Sequence, residues 1–372
     1  MKNVVIFFGG KSSEHNISII TGVLAVNGTD KSKYNAIPIY IRADGTWWTG
    51  EGLNNLKNFE NLSYKGLKRV TFIGGDNCLY SVCGKKVKNL GKIALALNCL
   101  HGINGEDGSL AGVVNMCGIP LASPNLLGSA VSMDKGVAKD IVRTKMIKTL
   151  KHVSVNSGEY YKDTARVINK VLKRLSFPMI IKPSALGSSI GITVADDEVA
   201  LKKGIENAFK YGDSLIIEPK LTDFVEINCA CYMLEGKLQV SEPELVATTN
   251  SILTFADKYL ESSRATRSQG VDSKLARIIK GYTKSIYSAL KMQGVIRIDY
   301  LVKDGVVYFN EINSVPGSLA YYFFMDSTLS LPDFLNGLYQ TALVNANKKE
   351  YLLTEYQEGS LFNGIKGKYG KK

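Results

Sequence analysis

The chain has no long hydrophobic run and few of the side chains that hold zinc. No segment reaches the roughly 18 consecutive apolar residues of a membrane span, and the start, MKNVVIFFGG, lacks the apolar region and cleavage site of a signal peptide. Three histidines and six scattered cysteines, with no Cys-x-x-Cys pair, predict neither a zinc site nor a disulfide framework. We therefore expect a cytoplasmic protein without a membrane partner, whose thiols are reduced and mostly buried.

A dense stripe of basic residues is also missing from the body of the chain. The formal net charge is +12, but Lys and Arg are spread along the sequence, and only the tail GIKGKYGKK is a concentrated basic run. Nucleic-acid sites usually gather their positive charge on one face, so we expect no nucleic-acid partner. The positive charge instead favours binding of anionic small molecules such as ATP. The 372 residues, 45% hydrophobic and 22% charged, are enough for two or three globular domains.

Two strand-like runs near the C-terminal third carry the most informative polar residues. Arg297 and Asp299 are two apart, as are Glu311 and Asn313, so each pair lies on one face of its strand. A turn at 303–305 would fold the second run against the first and bring the four side chains together. Carboxylate and amide oxygens suit Mg2+, which usually binds through one or two carboxylates plus nucleotide phosphates. The alternative is an edge hairpin with a solvated polar face.

The first third of the chain has the pattern of an α/β domain. KNVVIFFGG predicts a buried strand and a Gly-Gly turn, and KSSEHNISIITGVLAVNG predicts a helix packed on a sheet. KIALALNCLHG and NGEDGSLAGVVNMCG repeat this order, and Cys83-Gly84-Lys85 predicts a hairpin between short strands. Residues 1–123 are therefore expected to form an N-terminal domain with a mainly parallel sheet.

Two further units follow. SPNLLGSAVSMDKGVAKDIVRTKMI predicts a single helix, and FPMIIKPSALGSSIGITVA predicts two strands around a loop whose backbone N–H groups can close on phosphate. Lys182 stands at the mouth of that loop, where a satisfied surface lysine is the alternative. We assign 124–215 to a central domain and 216–372 to a C-terminal domain with the metal hairpin.

Six blocks in a fixed order connect the chain to a known family. They are GGKSSEHNIS, HGINGEDGSLAG, SMDK, IIKPSALGSSIGI, DKY, and RIDY with NEINSVPG. Together they resemble the D-alanine:D-alanine ligases of the ATP-grasp superfamily. The resemblance implies a three-domain α/β ATP-grasp architecture, in which ATP is held between the sheets of the central and C-terminal domains.

The resemblance also implies roles for individual residues. In such ligases ATP phosphorylates the carboxylate of one D-alanine, and the amine of a second displaces the phosphate. The family's nucleotide-binding positions correspond to Lys135, Lys182, Ser189, Glu218, Glu226 and Lys258. Among these, Glu218 and Glu226 match acids that hold adenine and ribose. The family's Mg2+ ligands correspond to Asp299, Glu311 and Asn313, and Mn2+ is an alternative ion. Arg297 and the backbone N–H of Gly317 match the groups that stabilise the oxyanion.

The first amino acid has its own matching positions. Glu14 matches the glutamate that holds its ammonium, and Ser188 and Tyr259 match partners that tie a mobile loop to that glutamate. A carboxylate at a helix N-terminus is also favourable capping chemistry, which is the alternative for Glu14. His101 matches substrate-side support, with a purely structural histidine as the alternative.

Departures from the family pattern fall on the side of the second amino acid. Tyr322 stands where the family usually has a serine that binds the acceptor carboxylate; a phenol can donate one hydrogen bond but is far larger. Arg264 or Arg267 is a candidate replacement for the missing carboxylate contact.

The resemblance thus implies a D-alanine:D-alanine ligase for peptidoglycan precursors, acting on ATP and D-amino acids as a homodimer. The alternatives are a ligase for another pair, such as D-Ala-D-Ser, and a non-catalytic ATP-binding regulator.

Overall fold

The computed structural model describes residues 1–187, 190–246, 271–325 and 329–350. Its first sheet has seven strands: β1 (Lys2–Gly9), β2 (Tyr34–Ile41), β3 (Trp47–Thr49), β4 (Lys68–Ile73), β5 (Asp76–Cys83), β6 (Lys86–Lys92) and β7 (Leu95–Asn98). They lie in the order β6-β5-β4-β3-β2-β1-β7.

This sheet is parallel only at one end. β1 pairs in parallel with β2 and with β7, as the repeated strand, glycine turn and helix predict. The strands from β3 to β6 extend the sheet in the antiparallel sense, so the expectation of a mainly parallel sheet is corrected to a mixed one. The turns between β4, β5 and β6 are only two residues long, and such short connections join antiparallel neighbours. The hairpin predicted around Gly84 is confirmed.

Two helices follow strands of the parallel part. Helix α1 (His15–Gly28) packs on β1, and α2 (Ser109–Met116) follows the loop after β7. A Cβ atom on Gly22 of α1 would lie 2.3 Å from the side chain of Phe8, so the helix backbone lies directly on the strand. This close packing fixes the N-terminus of α1 at the end of β1.

The segment predicted as a single helix after residue 123 forms two. They are α3 (Leu126–Met133) and α4 (Lys135–Arg143), separated by Asp134 in an extended conformation. The Asp134 side chain accepts a hydrogen bond of 3.0 Å from the backbone N–H of Val137, which caps α4. The cap therefore starts a new helix at Lys135.

The second sheet has four antiparallel strands in the order β10-β9-β11-β8. They are β8 (Val153–Asn156), β9 (Met179–Pro183), β10 (Thr193–Ala195) and β11 (Ser214–Pro219), accompanied by α5 (Ser157–Lys162), α6 (Thr164–Leu172), α7 (Glu198–Ala208) and a 3₁₀ turn at Phe209–Tyr211. The strand, loop and strand predicted around Lys182 are confirmed as β9 and β10. Ile181 points into the core with α6 and α7, so Lys182, one residue on, points to the other face.

The third sheet, order β13-β12-β15-β16 with β14 beside β12, carries the predicted hairpin. Its strands are β12 (Val225–Leu234), β13 (Lys237–Val240), β14 (Glu244–Leu245), β15 (Val295–Lys303) and β16 (Val306–Asn313). Helix α8 (Ser273–Ala289) and α4 share a core with this sheet, through residues such as Ile286 and Val142. Helix α4 therefore belongs to the packing between the second and third sheets.

The last described helix returns to the first sheet. After a 3₁₀ segment, Gly317–Phe324, helix α9 (Leu331–Glu350) places Phe334 and Leu338 in one core with Ile6 and Phe8 of β1.

Among the described residues, no helix has the length and apolar character needed to cross a membrane. A further 3₁₀ turn spans Leu56–Phe59.

Candidate active site

The β15–β16 hairpin aligns the four polar residues predicted to meet. Asp304 (φ 51°) and Gly305 (φ 72°) form the two-residue turn between the strands. In the resulting register Arg297 lies opposite Asn313 and Asp299 lies opposite Glu311. The predicted turn and the shared face are confirmed.

Asp299 is the centre of this face. The Arg297 guanidinium donates to both of its oxygens, at 2.7 and 2.8 Å, and the Asn313 amide donates to Oδ2 at 2.9 Å. Asp299 is only 3% exposed. The alternative of a solvated edge hairpin therefore does not hold at Asp299. Its carboxylate is buried and is paired with Arg297 through two hydrogen bonds.

Glu311 is held by a lysine from another element. Lys135, the first residue of α4, places Nζ 3.3 Å from Glu311 Oε2 and donates to the carbonyl of Leu186 at 2.6 Å. Burial raises the pKa of the Glu311 carboxyl, but Lys135 and Lys182 outweigh burial and leave the pKa below its ordinary value. The carboxylate is therefore charged at neutral pH and linked to the loop after β9.

The side chains of the hairpin fit a hard divalent cation. Asp299, Glu311 and Asn313 supply two carboxylates and an amide, and Asn228 of β12 pairs with Asp299 with its Oδ1 buried and unpartnered in the described structure. The pKa of Glu226 is raised to about 7, first by burial and then by the negative charge of Asp299. Burial and the neighbouring carboxylate thus disfavour the charged form of Glu226, which a bound cation would favour.

The described residues hold no cluster of three His, Cys, Asp or Glu side chains arranged around a metal. A cation at this face would take part of its coordination from elsewhere. Mg2+ does so routinely, through nucleotide phosphates and water.

Glu218 of β11 lies between two lysines on the face of the second sheet that points away from α6. Its oxygens are 2.9 Å from Lys139 Nζ and 3.0 Å from Lys182 Nζ, and its side chain is fully buried. Burial alone raises the pKa of this carboxyl, but the two ammonium groups lower it to about 2. Both oxygens are engaged by lysines here, and contact of Glu218 with adenine stays a prediction.

Glu14 is the N-cap residue of α1, yet in the described structure its carboxylate makes no capping hydrogen bond. Instead the carboxylate lies beside two glycines: added Cβ atoms on Gly102 and Gly187 would come within 3.4 and 3.3 Å of its oxygens. The capping alternative is therefore not what its side chain does. Gly187, in the loop after β9, thus lies against Glu14, the residue that the resemblance pairs with Ser188.

His101 and Glu106 tie the first domain to the segment after β16. His101 is buried, with Nε2 3.0 Å from Thr21 Oγ1, and that hydroxyl also accepts the N–H of Ser318 at 3.0 Å. Glu106 accepts the N–H of Val315 at 3.1 Å. Burial raises the pKa of Glu106 to about 7, although backbone N–H groups offset part of this rise. These contacts support a positioning role for His101; contact with substrate stays a prediction.

Gly317 begins the 3₁₀ segment after β16, which contains a left-handed turn. Ser318, Leu319 and Ala320 have φ of 48°, 55° and 49°, a conformation that costs non-glycine residues about 1–2 kcal/mol each. Arg297 Nη1 donates to the Tyr322 hydroxyl at 3.5 Å. The structure thus brings Arg297 and Tyr322 together, and the role of the Gly317 N–H stays a prediction.

Several predicted residues lie outside the described part of the chain. They are Ser188, Ser189, Lys258, Tyr259, Arg264 and Arg267. Their roles stay predictions.

Two residues of the site are absent from the sequence-based predictions: Lys139 and Asn228. Lys139 is four residues after Lys135 on the same helix face, and Asn228 is two residues after Glu226 on the same strand face. Those spacings are the signal that could have identified them.

Comparison with known proteins covers nearly the whole chain. The family model described as D-ala D-ala ligase N-terminus matches residues 3–124, and the model described as D-ala D-ala ligase C-terminus matches residues 141–330. The D-alanine–D-alanine ligase of Thermosipho africanus is 36% identical over 351 residues, covering 92% of this chain and 93% of the relative.

Solved structures share the fold. The VanG D-Ala:D-Ser ligase from Enterococcus faecalis superposes with a TM-score of 0.76 at 26% identity, covering 92% of this chain and 99% of that one. A D-alanine–D-alanine ligase from Bacillus anthracis, complexed with ATP, superposes with a TM-score of 0.64. Its identity is 23%, with 94% and 99% of the two chains covered, so this likeness concerns the fold alone.

Proposed function

Because this chain belongs to the D-alanine–D-alanine ligase family, we propose that it joins two molecules of D-alanine, with hydrolysis of ATP to ADP and phosphate. The dipeptide would serve as a peptidoglycan precursor. The observation that carries the proposal is the face formed by Arg297, Asp299 and Glu311 next to Lys135.

The first step needs charge neutralisation more than covalent chemistry. The carboxylate of the first D-alanine attacks the terminal phosphorus of ATP, and both are negatively charged. Lys135 and Lys182, whose side chains are 13% and 14% exposed, point ammonium groups toward the space between the second and third sheets. They bind and orient the phosphates, which lowers the repulsion between the reactants.

Mg2+, with Mn2+ as an alternative, would be held by Asp299, Glu311 and Asn313. When bound it supplies further positive charge at the transferring phosphoryl group. Asn228 lies close enough in register to Asp299 to complete this set of oxygens.

In the second step the amine of the acceptor attacks the acyl phosphate, and negative charge develops on the carbonyl oxygen before phosphate leaves. Arg297 is fixed by its bidentate pair with Asp299, so it can donate to that oxygen without reorganising. The backbone N–H of Gly317 is a second candidate donor. Glu14, beside Gly102 and Gly187, would hold the ammonium of the first D-alanine.

Phosphate release from ATP and Mg2+ tests this function. The purified protein is assayed with D- and L-amino acids, singly and in pairs, and products are identified by mass. We expect D-alanine to give D-Ala-D-Ala. Binding of ATP without amino-acid-stimulated phosphate release would favour the non-catalytic regulator instead.

D-serine is the second candidate acceptor. Tyr322, at the position where the family usually has serine, contacts Arg297, and a structure of similar fold is a D-Ala:D-Ser ligase. Tyr322→Phe removes the hydroxyl and should raise the KM for the acceptor by about tenfold while leaving the KM for ATP unchanged. Competition between D-alanine and D-serine, scored by product mass, identifies the preferred acceptor; an unchanged acceptor KM would show that Tyr322 does not contact it.

The remaining organisation is proposed by analogy. We propose a cytoplasmic homodimer, which light scattering on the purified protein tests. The second domain boundary, predicted at 215/216, falls inside β11, whose neighbours are β9 and β8 of the second sheet. We therefore move that boundary to the loop 220–224 and keep the first boundary at 123/124.

A further inference from the structure

Lys139 is a buried cation that the proposed reaction does not use. It lies one turn after Lys135 on α4, and only 1% of its surface is exposed. Its ammonium is 2.9 Å from Glu218 Oε1 and donates to the carbonyl of Phe309 at 3.4 Å. An amine so deeply buried does not reach a nucleotide, so any effect on the reaction passes through the groups that it touches.

Those groups belong to two sheets. Glu218 is on β11 of the second sheet, and Phe309 is on β16 of the third. The same Phe309 donates its backbone N–H to the carbonyl of Lys148, just beyond α4. Lys139 therefore joins the two sheets at the base of the space where the phosphates are proposed to bind.

The charges of Glu218, Lys139 and Lys182 do not cancel. Glu218 carries one negative charge and is paired with two ammonium groups, Lys139 on Oε1 and Lys182 on Oε2. Burial lowers the pKa of Lys139, and the charge of Glu218 opposes this shift. With both lysines protonated the trio has a net charge of about +1, and Lys182 is the member with exposed surface. With Lys139 absent, Glu218 and Lys182 would form a neutral buried pair. Both oxygens would then be available to draw the Lys182 ammonium inward.

We propose that Lys139 is a positioning residue for ATP: by occupying one oxygen of Glu218, it keeps Lys182 extended and the excess positive charge directed at the phosphates. This proposal rests on the proposed function only in that ATP phosphates bind at Lys182. A neutral substitution at 139 removes the excess charge without touching the nucleotide directly.

The test compares Lys139→Met with Val142→Ala. Val142 is fully buried three residues further along the same helix and packs in the core of the third sheet, so its truncation reports the cost of disturbing α4 alone. The measurements are the affinity for a non-hydrolysable ATP analogue with Mg2+, the KM for ATP, kcat, and the melting temperature. Binding of the analogue requires no turnover.

We expect K139M to weaken analogue binding by about tenfold or more and to raise the KM for ATP in parallel, because Glu218 would draw the Lys182 ammonium away from the phosphates. We expect kcat to stay within about threefold, as for uniform loss of substrate binding. V142A should lower the melting temperature and leave both ATP constants unchanged. Analogue affinity of K139M equal to that of V142A would overturn the proposal.

The Glu218→Gln variant tests whether Lys139 acts through Glu218 or independently of it. It also provides a test if K139M alone does not fold. In the E218Q background, adding K139M removes an unpaired buried cation, so the double variant should fold at least as well as E218Q. Because Lys139 acts through Glu218, the two should bind the analogue within about twofold of each other. A further large drop in the double variant would contradict the proposal. If the wild type binds the analogue but forms no peptide, the proposed function fails while the comparison of affinities still decides the role of Lys139.

Discussion

Arg297 is proposed to combine two tasks in one side chain, since the guanidinium that holds Asp299 is also the proposed donor to the oxyanion. Its Nε and Nη2 donate to the two Asp299 oxygens, while Nη1 points at the Tyr322 hydroxyl. A planar group with five donors can serve both directions, whereas an ammonium is a single point charge. The residue type is therefore constrained by geometry as well as by charge.

Arg297→Lys should lower kcat by about 10²–10³, because the variant keeps the charge but loses the fixed donor toward the oxyanion. The affinity for an ATP analogue should change far less. Steady-state phosphate release measures kcat, and equilibrium binding of a non-hydrolysable ATP analogue measures the affinity. Arg277→Lys, on the exposed side of α8, is the matched control and should be indistinguishable from wild type; an equal loss in both variants would count against the assigned role.

Glu218→Gln should flatten the acid side of the stability profile. Despite burial, the pKa of Glu218 is lowered to about 2 by Lys139 and Lys182, so the folded state binds its proton less readily than the unfolded chain. A depressed carboxyl pKa contributes stability above the unfolded pKa, and this contribution is lost as pH falls from about 4.5 toward 2.

Over that interval the free energy of unfolding of the wild type should fall more steeply than that of E218Q, by up to about 1.4 kcal/mol per pH unit. Urea unfolding between pH 6 and 3 measures both slopes. Parallel curves would mean that Glu218 titrates alike in the folded and unfolded chains.

Single-residue roles were only partly predictable from the sequence. Asp299 and Glu311 could be placed together because period-2 spacing and a two-residue turn determine a hairpin register. Lys139 could not, since its partners Glu218 and Phe309 lie far away in sequence and on different sheets. Long-range contacts of this kind depend on how elements pack, which local pattern does not encode.

At the scale of elements, α4 and α1 show where local pattern succeeds and fails. The spacing of apolar residues predicts α1 correctly, and the polar capping by Asp134 explains why the next predicted helix is two. An aspartate whose side chain accepts the backbone N–H three residues later is a signal for a helix start. This signal competes with continuation of the preceding helix. The antiparallel extension of the first sheet likewise follows from two-residue turns rather than from strand composition.

Two helical glycines should respond in opposite ways to alanine. Gly22→Ala places a methyl group 2.3 Å from Phe8 and should destabilise the protein by about 1–3 kcal/mol through overpacking. Gly281→Ala in α8 meets open space and should stabilise it by about 0.5–1 kcal/mol through helix propensity.

Urea midpoints of the two variants and the wild type test this pair. Because Glu14 immediately precedes α1 and would move with it, Gly22→Ala should also raise the KM for the first amino acid, whereas Gly281→Ala should not. Destabilisation by both substitutions would show that the helix packing differs from that described.

At the scale of the whole molecule, the site is assembled from all three sheets, so binding there should stabilise the entire fold. ATP with Mg2+ at about 100 times its Kd should add about 2.7 kcal/mol. Chelation of the metal with EDTA should remove most of this gain, and Asp299→Asn should do the same without EDTA. Thermal unfolding with and without ligand measures the effect; equal stabilisation by ATP in EDTA would argue against a metal at the hairpin.

Helix α9 closes the core beneath β1, and the Tyr339 hydroxyl lies 2.9 Å from Thr29 Oγ1 across 310 residues of sequence. A ribosome adding 5–20 residues per second needs roughly 15–60 s to reach Tyr339 after Thr29. Throughout that time the emerging polypeptide displays the apolar underside of its first sheet. We therefore expect folding of the N-terminal third to be completed only after the C-terminal helix has been synthesised.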